Sequence, residues 1–575
     1  MKSRILRFAL SSAMALPALA ADISHRKADL AVQVQSVSGV PLEGATVEIE
    51  MLNHAFRFGC AVEHHLVDPN SSNYDPTTVF NLQRFFNSAT YGNIMKWTYY
   101  EARTDEQNLA IAALPKSLNA FDGPDKLRLR GHVTIWGAQY QVPTRVRNST
   151  DPAYVNEQIL QHIHDYHTTY KSAGIDNFDL YNEHLHERQQ LIEKIISNGS
   201  VAEEAAIVAP WFNKAKDADP QAVLFLNDYN ILNASWVPNH GAAREYKAFI
   251  DALRDAGGQI DGIGLQAHMD RYVSKEDLLA RLDILAAPME PTANHPNGLP
   301  GLPIEITELD INADATNASS PETQATLARN VLEAAFEHPA VIGLTIWGMN
   351  DSNHWRNNAL LFDDSNPNDW QLKPSGQTYV DLVTRDWWED HTGTSSASGD
   401  YAANTFKGTH RVTVTYQGES KTLTTHLDSD QTLVFDFEAE AADASSYESW
   451  LQFIEWNGAP SAREDDADHD GISNLMEFLS GSDPLVFNTW TPIQVLRDGP
   501  TGPVAMYSIR AARQNVSHYL SWSTNLKDWQ ALAALPENTP IPEIQDGVAT
   551  YTIPLFTVLP EPGNNFYRFT LKEKE

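Results

Sequence analysis

The sequence predicts an α/β fold: a (β/α)8 TIM barrel with a short N-terminal β element and C-terminal β-rich accessory modules. Three observations predict it. From residue 56 to about residue 388, short apolar runs that end in polar residues recur between helix-like stretches, the punctuation of strand–helix repeats. Eight such runs can be counted: Phe56–Val62, Phe86–Tyr91, Leu127–Trp136, Phe178–Tyr181, Val223–Leu226, Ile263–Gln266, Ile304–Thr307 and Val341–Trp347. With 575 residues the chain exceeds what one hydrophobic core sustains, so smaller modules must accompany the barrel.

Taken in order, residues 1–20 read as a secretory signal peptide. Lys2, Arg4 and Arg7 precede an apolar stretch from Phe8 to Leu19, and Ala18-Leu19-Ala20 is a small-residue cleavage pattern. The mature protein is therefore expected outside the cell or at its surface. The apolar stretch is too short to cross a bilayer, and no later run supplies about 20 uninterrupted apolar residues, so no membrane insertion is expected. Over 22–55, Leu30, Val32 and Val34 alternate with polar residues, Gly39-Val40-Pro41 offers a turn, and Val47, Ile49 and Met51 alternate again. This pattern predicts a small β-hairpin.

The barrel is expected over 56–390. Tyr246, Phe249, Ile250 and Leu253 share one helix face. Another helix begins at Ser320-Pro321, a cap followed by proline at the first helical position, and turns Leu327, Val331 and Leu332 inward. Ser395–Gly399 reads as a small-residue linker to a compact β-module over 400–440, with Val412, Val414, Tyr416, Leu433, Phe435 and Phe437 in alternation. An acidic segment over 441–484 and a β-rich domain over 485–575 complete the chain, with no internal repeat.

Composition narrows the function. The formal charge of -34 argues against nucleic acid or an anionic membrane as partner. The single cysteine, Cys60, lies in an apolar run, cannot form an internal disulfide and reads as a buried structural thiol. Tryptophan is frequent at 14 residues, and flat rings suit the apolar faces of sugars.

In a (β/α)8 barrel the site is built at the C-terminal ends of the strands, so polar residues closing apolar runs are the ones to inspect. Strand three closes with Arg130-Gly131-His132-Val133-Thr134-Ile135-Trp136 and strand four with Phe178-Asp179-Leu180-Tyr181-Asn182-Glu183. Strand five closes with Asn227-Asp228-Tyr229-Asn230, strand six with Gln266-Ala267-His268, strand seven with Thr307-Glu308-Leu309-Asp310 and strand eight with Trp347-Gly348-Met349-Asn350-Asp351. Two glutamates from opposite strand ends are what a retaining glycosidase needs. One attacks the sugar carbon and the other protonates the departing oxygen, with carboxyls about 5–5.5 Å apart.

The ordered motifs Asn182-Glu183, Asn227-Asp228-Tyr229-Asn230, Gln266-x-His268, Thr307-Glu308-Leu309-Asp310 and Trp347-Gly348 resemble glycoside hydrolase family 10, the endo-β-1,4-xylanases, over about 56–390. The resemblance implies a retaining endo-1,4-β-xylanase acting on xylan or a related plant or algal polysaccharide, with no cofactor for catalysis. It implies Glu183 as acid/base, Glu308 as nucleophile, Asn182 as partner of the sugar 2-hydroxyl, and His268 orienting the nucleophile with Asp310 behind it. By the same likeness Asn93, Lys96, His132, Trp136, Gln266, Trp347 and Trp355 line the glycone side, and Tyr229 and Asn230 face the aglycone side. Trp136 reads equally as core or as sugar platform. A glucanase, a substituted-xylan hydrolase and a non-catalytic calcium-dependent carbohydrate-binding surface protein are the alternative readings.

Two departures stand out. Family members place Glu-Asn before Met-Lys-Trp on strand two, where this chain has Gly92-Asn93-Ile94-Met95-Lys96-Trp97, and histidine after the strand-three tryptophan, where it has Gly137. Both remove polar groups expected on the glycone side. His64, His65, His184 and His186 read as ordinary loop histidines, since no neighbouring spacing completes a metal site.

The acidic segment carries Asp466-Ala467-Asp468-His469-Asp470-Gly471-Ile472-Ser473-Asn474-Leu475-Met476-Glu477. This matches a 12-residue Ca²⁺ loop with Asp466, Asp468, Asp470, the Ile472 carbonyl, Asn474 and Glu477 as ligands. It resembles the loops of dockerin-like and thrombospondin-type modules, and implies a structural ion and attachment to a cell surface or matrix through the C-terminal modules. Near the end, Tyr519–Trp522 and Asn525–Trp529 read as core aromatics rather than a polysaccharide surface.

Overall fold

The computed structural model describes residues 22–575 apart from 235–236, 313–319, 357–359, 439–446, 452–453, 455, 471, 481–482, 487–492, 500–501, 511–515, 524–529, 532–542, 546–547, 555–565 and 574–575. The expected signal segment and the Asn525–Trp529 run lie outside the described residues. Two compact units result, one of residues up to 35 and 41–435, the other of 36–40 and 436–575.

All eight strand expectations in the larger unit correspond to strands. They are Arg57–Val62, Ser88–Tyr91, Arg128–Gly131 with Ile135–Trp136, Asn177–Asn182, Leu224–Asp228, Gly262–Leu265 with His268–Met269, Ile304–Ile311 and Val341–Ile346. Each pairs in parallel with the next, and the eighth returns to the first through Gly343–Ile346 against Arg57–Cys60. The sheet is thus a closed barrel. Strands buried on both faces lose the alternation of a half-exposed sheet, and all eight residues of Ile304–Ile311 are buried.

The helices lie where their caps put them. Ser320 accepts from Thr323 N to start Pro321–Glu337, which buries Leu327, Val331 and Leu332. Gly241–Asp255 buries Tyr246, Phe249, Ile250 and Leu253. Ser200 and Glu203 close a reciprocal capping box at the start of Val201–Ala218. Cys60 is a buried free thiol whose pKa is pushed up by burial. Among the described residues no helix is long and apolar enough to cross a membrane.

The flanking β elements differ from expectation. Lys27–Ser36 and Thr46–His54 are strands but do not form a hairpin with each other. The first joins a three-stranded sheet with Asp400–Phe406 and Gln431–Phe437. The second lies between His391–Thr394 and Gly408–Tyr416 in a four-stranded sheet completed by Glu419–Leu427. Alternation fixes which face of a strand is buried, whereas its pairing partner is set by long-range packing. The 22–55 element and the 400–440 module therefore share sheets rather than standing apart.

Ser395–Gly399 is correspondingly a tight turn and not a linker. The buried Ser395 Oγ accepts from Ala45 N and donates to Leu42 O, and Gly399 N donates to Ser396 O.

In the smaller unit, the short helices Tyr447–Trp450 and Asn474–Ser480 surround an aromatic cluster in which Trp450 lies 5.3 Å from Phe478 and 5.4 Å from Tyr447. Two antiparallel sheets follow, of four and three strands, and Val516–Ser523, which contains Tyr519 and Trp522, is the central strand of the second.

Candidate active site

The polar residues that close the barrel strands meet in a cleft of about 630 Å³. Asn182, Glu183, His268 and Glu308 line it, as do all nine proposed sugar-binding residues: Asn93, Lys96, His132, Trp136, Tyr229, Asn230, Gln266, Trp347 and Trp355. Asp310 lies behind, fully buried.

The two glutamates are held by different partners. Glu183, which follows strand four with φ 61°, accepts from Trp136 Nε1 at 2.6 Å on one oxygen, and from Gln266 Nε2 at 2.9 Å and Asn182 Nδ2 at 3.2 Å on the other. Glu308 accepts from Asn227 Nδ2 at 2.8 Å and faces His268 Nε2 at 3.3 Å and His132 Nδ1 at 3.9 Å. Amides connect the two carboxylates. Asn227 Nδ2 also donates to Asn182 Oδ1 at 2.9 Å, and Gln266 Nε2 donates to that same oxygen at 3.2 Å.

These partners set opposite proton affinities. Burial, together with the negative charge of Glu308, pushes Glu183 up to about 7 against the hydrogen bonds of Gln266 and Trp136. Burial also disfavours the Glu308 anion, but His132 and His268 outweigh it and hold that carboxyl below the ordinary carboxylate range.

His268 is the pivot. Burial opposes its charge, yet Asp310, whose Oδ2 lies 2.7 Å from Nδ1, and Glu308 push it up to about 10. Asp310 stays ionised despite its burial because His268, His354 and Arg356 surround it, and Trp355 Nε1 also donates to it at 2.9 Å. His132 is held from behind by Asp179 at 2.8 Å, which in turn is bridged through both oxygens by Arg130. Arg130 and Asp179 stand among the polar residues that close strands three and four, but their part, a buried ion pair that braces His132 from behind, is visible only in the fold.

The rings line the cleft in distinct ways. Trp136 is half-buried, takes the Lys96 ammonium 4.5 Å from its ring centre and hydrogen-bonds Glu183, so it belongs to the cleft rather than to the core. Trp355 is 61% exposed and Tyr140 66% exposed. Tyr229 stacks on His186 at 3.9 Å, and His186 Nδ1 is 2.6 Å from Asp228.

The histidine expectation divides accordingly: His184 and His186 stand in the turn after strand four, whereas His64 and His65 begin the short helix His64–Val67. His184 is a core residue stacked on Phe249 at 3.6 Å, and His186 braces a cleft tyrosine. His64 and His65 have Glu63 beside them, with ligand-type atoms of all three within 4.8 Å.

Both glycine departures have neighbours in the vacated space. A Cβ on Gly137 would lie 1.9 Å from the Glu187 carbonyl oxygen, so the loop after strand four occupies the side chain's place. A Cβ on Gly92 would lie 2.6 Å from Glu63 Oε1. A carboxylate therefore stands over Gly92 although residue 92 has none. Glu63 closes the Phe56–Val62 run, and the rule of inspecting polar residues at strand ends, applied to strand one, would have found it.

In the smaller unit, Asp466, Asp468 and Asp470 bring carboxylate oxygens within 4.8 Å of one another. Asp470 N donates to Asp466 Oδ1 and to Asp468 Oδ1, each at 3.1 Å. Ile472 N donates to Asp470 Oδ1 at 2.7 Å. Glu477 is buried, whereas the Asn474 amide donates to Pro460 O and Ala462 O and its Oδ1 accepts from Ala467 N.

A closed parallel barrel whose strand ends gather two buried, differently held carboxylates beneath an aromatic-lined cleft has the architecture of a barrel glycosidase. The chain belongs to glycosyl hydrolase family 10, whose model matches residues 49–375. It is 28% identical over 402 residues to the anti-sigma-I factor RsgI6 of Acetivibrio thermocellus, covering 69% of this chain and 46% of that protein. It is 25% identical over 420 residues to endo-1,4-beta-xylanase 1 of Arabidopsis thaliana, covering 72% and 39%. It is 29% identical over 305 residues to endo-1,4-beta-xylanase 3 of Hypocrea jecorina, covering 52% and 77%. The chain thus spans less than half the length of the first two.

Proposed function

We propose that this chain is a secreted, retaining endo-1,4-β-xylanase. Glu308 attacks the anomeric carbon while Glu183 delivers its proton to the glycosidic oxygen, so the C–O bond breaks and a glycosyl ester forms on Glu308. Water, deprotonated by Glu183, then attacks the same carbon and releases Glu308. The observation that carries this reading is the contrast in proton affinity. A carboxyl raised to about 7 retains a proton to give at neutral pH, and one held low by two histidines is ionised to attack.

In this reading Asn182 meets the 2-hydroxyl, His268 orients Glu308 with Asp310 behind it, and Asn93, Lys96, His132, Trp136, Gln266, Trp347 and Trp355 grip the glycone. Tyr229 and Asn230 take the aglycone. Relatives named endo-1,4-beta-xylanase support xylan as substrate. The test is purified protein on β-1,4-xylan, mixed-linkage glucan and cellulose, with the first-formed anomer read by NMR. Xylan cleavage with retained β configuration is expected. Cleavage of glucans alone, or inversion, overturns it.

In the same reading the barrel over 56–390 is the catalytic domain, and 441–484 and 485–575 are accessory modules for attachment to a cell surface or matrix. Asp466, Asp468 and Asp470 would hold one Ca²⁺, with the Ile472 carbonyl, Asn474 and Glu477 completing the 12-residue loop. The donor set suits a hard cation. Asp468 Oδ2 is buried without a hydrogen-bond partner, and its carboxyl is raised by burial and by the charges of Asp470 and Asp466.

A further inference from the structure

Glu63 directly follows the first barrel strand and precedes the short helix His64–Val67 as its N-cap residue. A carboxylate there ordinarily folds back onto the first free amides of its own helix, but the Glu63 side chain makes no such bond. It turns to the cleft, which it lines with Gly92, Asn93 and Lys96, and its Oε1 accepts from Asn93 Nδ2 at 2.9 Å.

The space above Gly92 is filled by this carboxylate. Apart from the adjoining residues 91 and 93, the atoms of the described residues within 4 Å of a Cβ built on Gly92 are Glu63 Oε1 at 2.6 Å and Glu63 Cδ at 3.6 Å. A methyl at position 92 would meet the Glu63 carboxylate where it now stands, and the carboxylate would have to swing aside. From Glu63 the contacts run inward without a break. Lys96 Nζ donates to Asn93 Oδ1 at 3.1 Å and lies over the Trp136 ring, and Trp136 Nε1 donates to Glu183.

We propose that Glu63 is a specificity-determining residue: it supplies, from strand one, the carboxylate that grips the hydroxyls of a sugar distal to the cut, and residue 92 is glycine to make room for it. The inference rests on the xylanase reading and deepens it. One Glu63 oxygen is occupied by Asn93, and the other is available to accept from sugar hydroxyl groups. Such a carboxylate favours a neutral, undecorated pyranose and repels one bearing a uronic acid at that position.

The test is a double-mutant cycle on the full chain with Glu63→Ala, Gly92→Ala and their combination, with Glu63→Gln as the isosteric control, each checked for native unfolding. Xylotriose and polymeric xylan are the substrates. Glu63→Ala should raise KM for xylotriose by about 10- to 100-fold, as expected for losing a hydrogen bond to a charged group, and by less for the polymer, which other contacts also hold. Gly92→Ala should act in the same direction by displacing the carboxylate. The double variant should be no worse than Glu63→Ala, because both changes remove one interaction.

A change below twofold in Glu63→Ala, or fully additive effects, overturns the proposal. So does an effect of Glu63 that EDTA abolishes and Zn²⁺ restores, which would give Glu63 to a metal with His64 and His65. If the wild type cleaves no xylan, the xylanase reading falls separately, and the same cycle read as xylotriose Kd by calorimetry still decides the role of Glu63.

Discussion

Two groups of carboxylates in this chain share residue types and differ in surroundings. In the barrel, Glu183 and Glu308 are buried, separated by a layer of amides, and each has its own partners. In the smaller unit, Asp466, Asp468 and Asp470 are half-buried and converge on one another. Burial with unequal partners drives two proton affinities apart, which is what acid and nucleophile chemistry needs. Convergence of carboxylates on one another gathers negative charge that a hard cation can neutralise. Whether acidic residues handle protons or hold a cation is thus decided by what lies between them.

The comparison breaks most sharply at Glu308. Glu308→Ala should lower xylan cleavage on the order of 10⁴-fold or more, and added azide should restore turnover by replacing the missing nucleophile. Full activity without an external nucleophile would remove the assignment. Glu183→Ala should cost about 10²–10⁴-fold on xylan, while aryl xylosides with good leaving groups form the glycosyl-enzyme at nearly normal rates. Equal losses on both substrate types would mean that Glu183 is not the proton donor.

The pH profile sharpens the electrostatic half of the comparison. As the proposed proton donor Glu183 would have to be protonated, so kcat/KM should fall as pH rises through about 7. Glu308 must be ionised, so it should also fall as pH drops below the ordinary carboxylate range, where that lowered group protonates. His268, pushed up to about 10, stays charged across this window, and the alkaline limb belongs to Glu183. In His268→Gln the acidic limb should move up, since a cation that holds Glu308 low is gone. An unmoved limb would show that His268 does not set the Glu308 proton affinity.

The smallest effect belongs to the loop. Calcium at about a hundred times its Kd should stabilise the smaller unit by about 2.7 kcal/mol, so EDTA or Asp470→Ala should lower its calorimetric transition by a few degrees. Hydrolysis of soluble xylan should not change. A calorimetric trace indifferent to calcium would refute the loop.

Much of the site was legible in the sequence because barrel chemistry sits at strand ends. The apolar runs locate those ends, and the residues that follow them, Asn182-Glu183, Gln266-x-His268 and Thr307-Glu308-Leu309-Asp310, line or back one cleft. Glu63 was legible by the same rule, as the polar residue that closes the first apolar run. Trp136 was undecidable from its surroundings in sequence, since an apolar run that ends in tryptophan reads the same whether the ring packs inward or faces a sugar.

By itself, then, the sequence determined the eight strands, the amphipathic helices and the identity of the residues at the strand ends, because burial periodicity and capping are local properties written every few residues. Only the tertiary structure decided that Lys27–Ser36 pairs with Asp400–Phe406 instead of with Thr46–His54, and that the Glu63 carboxylate fills the place a side chain at 92 would take. It also decided that His132 and His268 converge on Glu308 while Gln266 and Trp136 converge on Glu183. Strand partners, neighbours across a cleft and proton affinities all depend on groups far apart in the chain, and those distances exist only once the barrel has closed.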